Sequence, residues 1–211
     1  MLRITVFGAG GRVGARVVAE ALARGHRVTA VVRDAARPAG PHPGAVSAVG
    51  DASDPAAVEA LSADADVVVG AIRPAPGREH ELAPVAAALL KGTAAAGSRL
   101  LLVGGAGSLL LPDGTALADS PDFPPDWLPI ARACDEQLAV CRAAHEGDWA
   151  YLSPAALLEP GARTGRFRLG GDALLTDAAG VSALSMEDLA VALLDEAEHP
   201  RHHNTRFTAA Y

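Results

Sequence analysis

The chain has one lysine, two cysteines and no long apolar run, and each scarcity removes a class of function. Of its 18 basic residues only Lys91 is a lysine, and the arginines form no patch. With 25 acidic residues the formal charge is −7 and the pI near 5.4. That balance argues against a nucleic-acid partner, whose phosphates require clustered Lys and Arg. Cys134 and Cys141 stand seven apart in an expected helix, so about 10 Å of axial rise separates them and a disulfide is out of reach. They read as small core residues on one helix face. No stretch is apolar for long enough to span a bilayer, and no basic-plus-apolar signal follows Met1, so a cytoplasmic protein with no membrane partner is expected. Among seven histidines, His202 and His203 are adjacent and their side chains diverge. No His or Cys has the spacing of a tetrahedral site, and no metal is expected.

What is present is half hydrophobic and one-fifth charged over 211 residues, enough for a sizeable core without disulfide or metal staples. One domain covering 1–211 is expected. It is organised around Leu2–Gly14, LRITVFGAGGRVG. An apolar strand ends in glycines, after which Val13, Val17, Val18, Ala21 and Leu22 recur at helical spacing. Gly8, Gly11 and Gly14 permit close backbone approach, and the free N–H groups of the following helix suit a pyrophosphate. Gly10, Arg12 and Val13 complete the turn. A second strand over 26–33 supplies the βαβ context that gives the glycines meaning.

That second strand ends in Arg33. An NAD site commonly places an acid there to accept from the ribose 2′-OH. Arg33 and Arg12 together suit a 2′-phosphate, because guanidinium pairs with phosphate bidentately. NADP(H) is therefore preferred over NAD(H); in the competing reading Arg33 is solvated and Asp34 takes the hydroxyl, which leaves NAD(H) open.

Residues 34–44 read as loop, 45–49 as a strand, and 55–62 as a helix with Asp54 at its N-cap. Asp51 and Ala52 lie at a strand's C-terminal end, where Asp51 either holds the adenine amino group or serves the turn. The run 66–72 is apolar on both faces, like a central parallel strand. It sets Ala71 and Ile72 beneath the cofactor's middle, with Arg73 the last cofactor-binding candidate of this run, where Arg73-Pro74 leads away. A helix over 79–96 and a strand over 98–103 follow, the strand ending in Gly104, Gly105 and Ala106 on the cofactor side. From 109 to 129 the pattern breaks into Pro and Asp with Phe123 and Trp127. A loop of that length is uncommon unless functional, and we take it as one wall of the substrate pocket. A helix over 130–145 leads to a strand over 149–153 that brings Ser153 and Pro154 to the same edge, with Pro154 as its stop. Residues 154–181, with Arg163, Arg166 and Arg168, read as a short hairpin over the nucleotide. A helix over 186–198 capped by Ser185 and a strand over 205–211 close the chain, and Asp195, Glu196 and Glu198 read as a solvated helix face. The alternation predicts a Rossmann-like α/β fold: a doubly wound, mostly parallel sheet with helices on both faces and substrate-side insertions over about 108–129 and 154–181.

The segments GAGGRVG, LLVGGAGSL, DSPDFP, WAYLSPAALLEPGARTG, SMEDLAVALLDEAEHP and RFTAAY, in that order, resemble the atypical short-chain dehydrogenase/reductases labelled NADH-flavin reductases. Similar folds occur in biliverdin-reductase-B-like proteins and in redox-sensing regulators. The better-known short-chain dehydrogenases use a Tyr-x-x-x-Lys pair for proton transfer. With Lys91 the sole lysine and tyrosines only at 151 and 211, that pair cannot exist here. Arg132 occupies the helix where the lysine would project, but four residues before it stands Leu128, and an arginine neither donates nor takes a proton near neutral pH. Arg132 then either offers charge or is a solvated helix residue.

The chemistry that remains is hydride transfer to an acceptor whose conjugation takes up the charge, with positioning more important than acid–base help. Ser108 is the candidate catalytic hydroxyl, or else a turn serine bonded locally. Tyr151 is expected in the core. The expected function is an NAD(P)H-dependent reductase of a flavin, quinone or other conjugated carbonyl, with flavin as a candidate substrate. Its rivals are a non-catalytic NADP(H)-binding redox sensor and a non-redox isomerase or cyclase. The partner is a small-molecule substrate, and monomer and homodimer both stand.

Overall fold

A computed structural model describes residues 1–34 and 42–211. The strands are β1 (Arg3–Phe7), β2 (Arg27–Val32), β3 (Val46–Val49), β4 (Val67–Gly70), β5 (Arg99–Val103), β6 (Trp149–Pro154), β7 (Leu157–Glu159), β8 (Arg168–Gly170), β9 (Ala183–Ser185) and β10 (Thr205–Ala210). The helices are α1 (Arg12–Ala23), α2 (Pro55–Ser62), α3 (Leu82–Ala96), α4 (Leu128–Ala143) and α5 (Met186–Glu198). Eight strands form one sheet in the order β3-β2-β1-β4-β5-β6-β10-β8, parallel throughout except that β8 runs antiparallel to β10. This is the doubly wound Rossmann-like fold the sequence predicts.

Strand alternation gives each face its own core. Ile4, Val6, Val28, Ala30, Val69, Leu101, Leu152 and Phe207 pack with Val17 and Ala21 of α1 and with Leu189, Ala190 and Leu193 of α5. Phe7, Val31, Val68, Leu100, Leu102, Trp149 and Tyr151 pack on the other face with Val58, Leu89 and Leu138 of α2, α3 and α4. Burial on both faces is why the central strands are apolar without alternation. Cys134 and Cys141 are free and buried on α4, and burial pushes both thiols up to about 12.

Local signals placed the helix starts well. Asp54 caps α2 through Ala56 N at 3.0 Å, and Ser185 caps α5 through Asp188 N at 2.9 Å. Other expectations need correction. The helix expected over 79–96 begins as a 3-10 turn, Glu79–Glu81, before α3. β6 runs one residue further than expected and closes on Pro154, in register with Ala209 of β10. The expected hairpin within 154–181 does not form. β7 instead pairs in parallel with β9, and β8 joins the main sheet beside β10. Arg163 turns to Glu20 on α1 at 2.7 Å, while Arg168 donates to the carbonyls of Thr176 and Tyr211. Nor is the acidic run of α5 a solvated face. Glu196 is buried and accepts from Arg99 at 2.7 Å and from the backbone N–H groups of Arg201 and His202. Arg24 gathers Asp195 and Glu198. Most of the loop expected over 34–44 lies outside the described residues.

Candidate cofactor and substrate site

The site grows from the turn between β1 and α1. Gly8 has φ +80°, a backbone conformation that suits glycine. A β-carbon on Gly8 would lie 2.4 Å from the Ala71 carbonyl oxygen, and one on Gly14 would lie 2.1 Å from the Gly8 oxygen. The turn is therefore pressed directly onto the end of β4, closed by Gly11 N donating to Gly8 O at 2.9 Å. Gly10 differs: it is exposed, and its nearest neighbour to an added β-carbon is Val32 at 3.8 Å. The neighbours β2 and β4 flank β1, so the turn sits where the strand order reverses, the place at which open α/β sheets bind ligands. No side chain caps α1 at Gly11. The N–H groups of the first helical turn thus face the gap, and a cradle that side chains would fill is kept clear. These features fit a dinucleotide pyrophosphate.

Around this turn the other candidates fall into three groups. At the β2 end, Arg33 is exposed, and Val13 is half-buried against the core. Asp51 accepts from Ser53 N at 2.9 Å and Ser53 Oγ at 2.8 Å. These bonds, with the charge of Arg33, hold its carboxyl below the usual range. Asp51 therefore serves its own turn while Asp54 caps α2, and Ala52 is buried in the core. Arg12 is exposed at the start of α1 and donates to Glu159 of β7 at 3.0 Å.

At the β4 end, Ala71 is buried and Ile72 half-buried under Gly8. Arg73, a cofactor-binding candidate, is exposed just beyond them. Its guanidinium carbon lies over the Trp127 ring, 5.1 Å from the centroid. Trp127 is 51% exposed and ends the 109–129 segment. Arg132, half-exposed on α4, pairs with Asp119 and so ties that segment to the helix.

At the β5 and β6 ends the glycines answer a packing demand. A β-carbon on Gly104 would meet the Tyr151 ring at 1.9 Å, and one on Gly105 the Cys134 Cβ at 2.8 Å; Ala106 is half-buried beside them. Tyr151 is 1% exposed, donates to Cys134 O at 2.9 Å and lies 3.0 Å from Gln137 Oε1. Burial raises its phenol well above the ordinary value, so it is a core residue and no proton donor at neutral pH. Ser108 accepts from the buried Arg206 guanidinium at both its hydroxyl (3.0 Å) and its carbonyl (3.2 Å). It also neighbours Asp135, whose carboxyl burial pushes up. Ser153 and Pro154 are buried, and Ser153 faces Thr208 in register, neither hydroxyl having a partner.

Glu159, Arg206 and Asp135 are polar residues at this edge that sequence reasoning missed. Arg206 lies in the alternating stretch TRFTAA, where a charge reads as solvent-facing, and Glu159 meets Arg12 across 147 residues. Neither carries a spacing signal.

The fold and this turn define a nucleotide-binding α/β protein with a Rossmann-like sheet. The profile of the NAD(P)H-binding family matches residues 8–200, and the chain belongs to that family. It is 39% identical to the uncharacterized protein YwnB of Bacillus subtilis, over 98% of this chain and 97% of that one. Among solved structures, a Burkholderia pseudomallei protein provisionally named as exported is 40% identical over the full length of both chains, with TM-score 0.91. A Streptococcus pneumoniae protein with the provisional name NADH-flavin reductase is 29% identical over 100% of this chain and 99% of that one, with TM-score 0.90. Among the described residues no helix is long and apolar enough to cross a membrane.

Proposed function

We propose that the chain is a cytoplasmic NADP(H)-preferring reductase that acts on a flavin, quinone or other conjugated carbonyl without a Tyr/Lys dyad. The observation that carries this reading is the meeting, at one sheet edge, of an uncapped α1 N-terminus behind glycines 8, 11 and 14 and the exposed Arg73–Trp127 pair. The first element offers donors to a pyrophosphate, and the second offers a surface to a flat molecule. Arg12 and Arg33 would hold a 2′-phosphate. When bound, the reduced nicotinamide supplies the hydride.

The chain's own residues orient the acceptor and keep water from it. Its only internal tyrosine is committed to the core, so the acceptor's proton comes from solvent or from Ser108. The name carried by the Streptococcus relative agrees with a reductase. The commitment of Tyr151 also keeps a second reading in view, an NADP(H)-binding sensor that turns nothing over.

Titration with NADPH and NADH, followed by reduced-nicotinamide absorbance after adding FMN, FAD or a quinone, separates the two. Binding with acceptor-dependent oxidation is the expected result; tight binding with no oxidation by any acceptor gives the sensor. Ser108→Ala is expected to lower turnover while sparing cofactor affinity, and unchanged turnover reduces Ser108 to a turn residue.

A further inference from the structure

Arg73 is an uncompensated charge at this site. In a chain of net charge −7, arginines such as Arg3, Arg24, Arg99, Arg132 and Arg206 are each met by a carboxylate. Arg73 has no ion pair among the described residues, although it stands two positions beyond buried Ala71 at the centre of the sheet edge. Glu79, the acid near it, spends its carboxylate on Gly77 N at 3.0 Å. What Arg73 does contact is the face of Trp127, at 5.1 Å. That contact engages the ring and no acceptor, so the guanidinium keeps N–H donors suited to a carboxylate, sulfonate or phosphate.

Trp127 is equally unspent. It is 51% exposed, whereas the other tryptophan, Trp149, is 2% exposed in the core. A large aromatic left in water beside a nucleotide cradle has one face covered by Arg73 and apolar surface to offer a planar ring. The two residues stand 54 positions apart, on the end of β4 and just before α4, so the fold itself assembles the pair.

We infer that Arg73 and Trp127 form the acceptor platform of this site, and that the preferred acceptors are planar conjugated molecules carrying an anionic group. Trp127 stacks the ring and Arg73 pairs with the anion. This assignment rests on the reductase reading for its functional meaning, but it is tested by binding. Arg73 thereby becomes the residue that sets acceptor specificity, not a contact of the cofactor alone.

The experiment is calorimetric titration of the full chain saturated with NADP⁺, which blocks the nucleotide cradle and prevents turnover. The probes are two pairs that differ only by an anionic group: FMN against riboflavin, and 1,4-naphthoquinone-2-sulfonate against 1,4-naphthoquinone. The anionic member of each pair is expected to bind at least about tenfold more tightly, the scale of one charge-assisted contact. Arg73→Gln should cut that preference to about twofold or less with the melting temperature unchanged, since the side chain is exposed and unpaired. Trp127→Phe should weaken both members of a pair alike and reduce ligand-dependent quenching of tryptophan emission to the part that Trp149 contributes. Equal affinities within each pair for the wild type overturn the inference, as does a preference that survives in Arg73→Gln, or failure of all four probes to bind. NADPH oxidation assayed separately distinguishes the two levels. Anion preference without oxidation removes the reductase and leaves the platform, while oxidation with equal KM for charged and neutral acceptors removes the platform and leaves the reductase.

Discussion

Glu159→Gln should tighten NADPH and leave NADH nearly unchanged. In the structure Arg12 Nη2 lies 3.0 Å from Glu159 Oε2, with side-chain exposures of 63% and 70%. An ion pair this open to water is worth about 0–1 kcal/mol. If Arg12 meets a 2′-phosphate, that phosphate must displace Glu159, and the carboxylate repels it as well. Removing the negative charge while keeping the side chain's shape therefore returns at most about 1 kcal/mol to NADPH, a tightening of roughly two- to fivefold. NADH has no 2′-phosphate and gains little. The effect must shrink as salt rises from about 0.02 to 0.5 M, because the Debye length falls from about 20 Å to about 4 Å and exposed charges are screened progressively. Fluorescence of the bound reduced nicotinamide, titrated at both salt concentrations, reads both affinities. Equal tightening of NADPH and NADH, or no change for either at low salt, would refute the assignment of Arg12 to the 2′-phosphate.

The nucleotide half of the site was legible because its constraints are local. Gly8 and Gly14 are glycines for want of space against Ala71 O and Gly8 O, and a steric demand of that kind leaves its mark in a short motif. The order of strands and helices was legible for a similar reason, since periodicity reports burial within a single element. The substrate half was not. β7 finds β9, and β8 finds β10, through partners well separated in sequence. The same holds for Arg163 with Glu20 and for Tyr211 OH with Asp188, 2.8 Å apart. An expected hairpin over the nucleotide was the local guess where the long-range pairing won. Glu196 was misread as solvated because an acid on an amphipathic helix looks the same whether it meets water or Arg99. Gly104 and Gly105 are expected on the cofactor side, and the room they leave is taken by Tyr151 and Cys134.

Arg33→Ala should weaken NADPH at least about tenfold and NADH by less than about twofold, the scale of a charge-assisted contact to phosphate; equal losses for both would free Arg33 from the 2′-phosphate. Within the glycine turn, Gly14→Ala forces a backbone shift and should lower the melting temperature by about 5–15 °C. Gly10→Thr, with 3.8 Å of room to Val32, should leave it within about 2 °C; comparable losses would mean the turn is not set by these contacts. Asp188 carries the remaining expectation. It is fully buried and accepts from Thr164 N, Gly165 N and Tyr211 OH, each at 2.8 Å, so it fastens the segment around 164 and the chain's last residue to α5. Burial raises its carboxyl, but these bonds together outweigh burial and hold it below the usual value. A carboxyl depressed in the folded state contributes stability that is complete above its unfolded value, near pH 4, and is lost as pH falls through the folded value. Asp188→Asn should therefore cost about 2–4 kcal/mol at pH 7. The gap between wild type and variant should narrow steadily below about pH 4 in denaturant titrations. A gap that stays constant from pH 7 to pH 3 would show that the ionised carboxylate is not what holds the two segments to the helix.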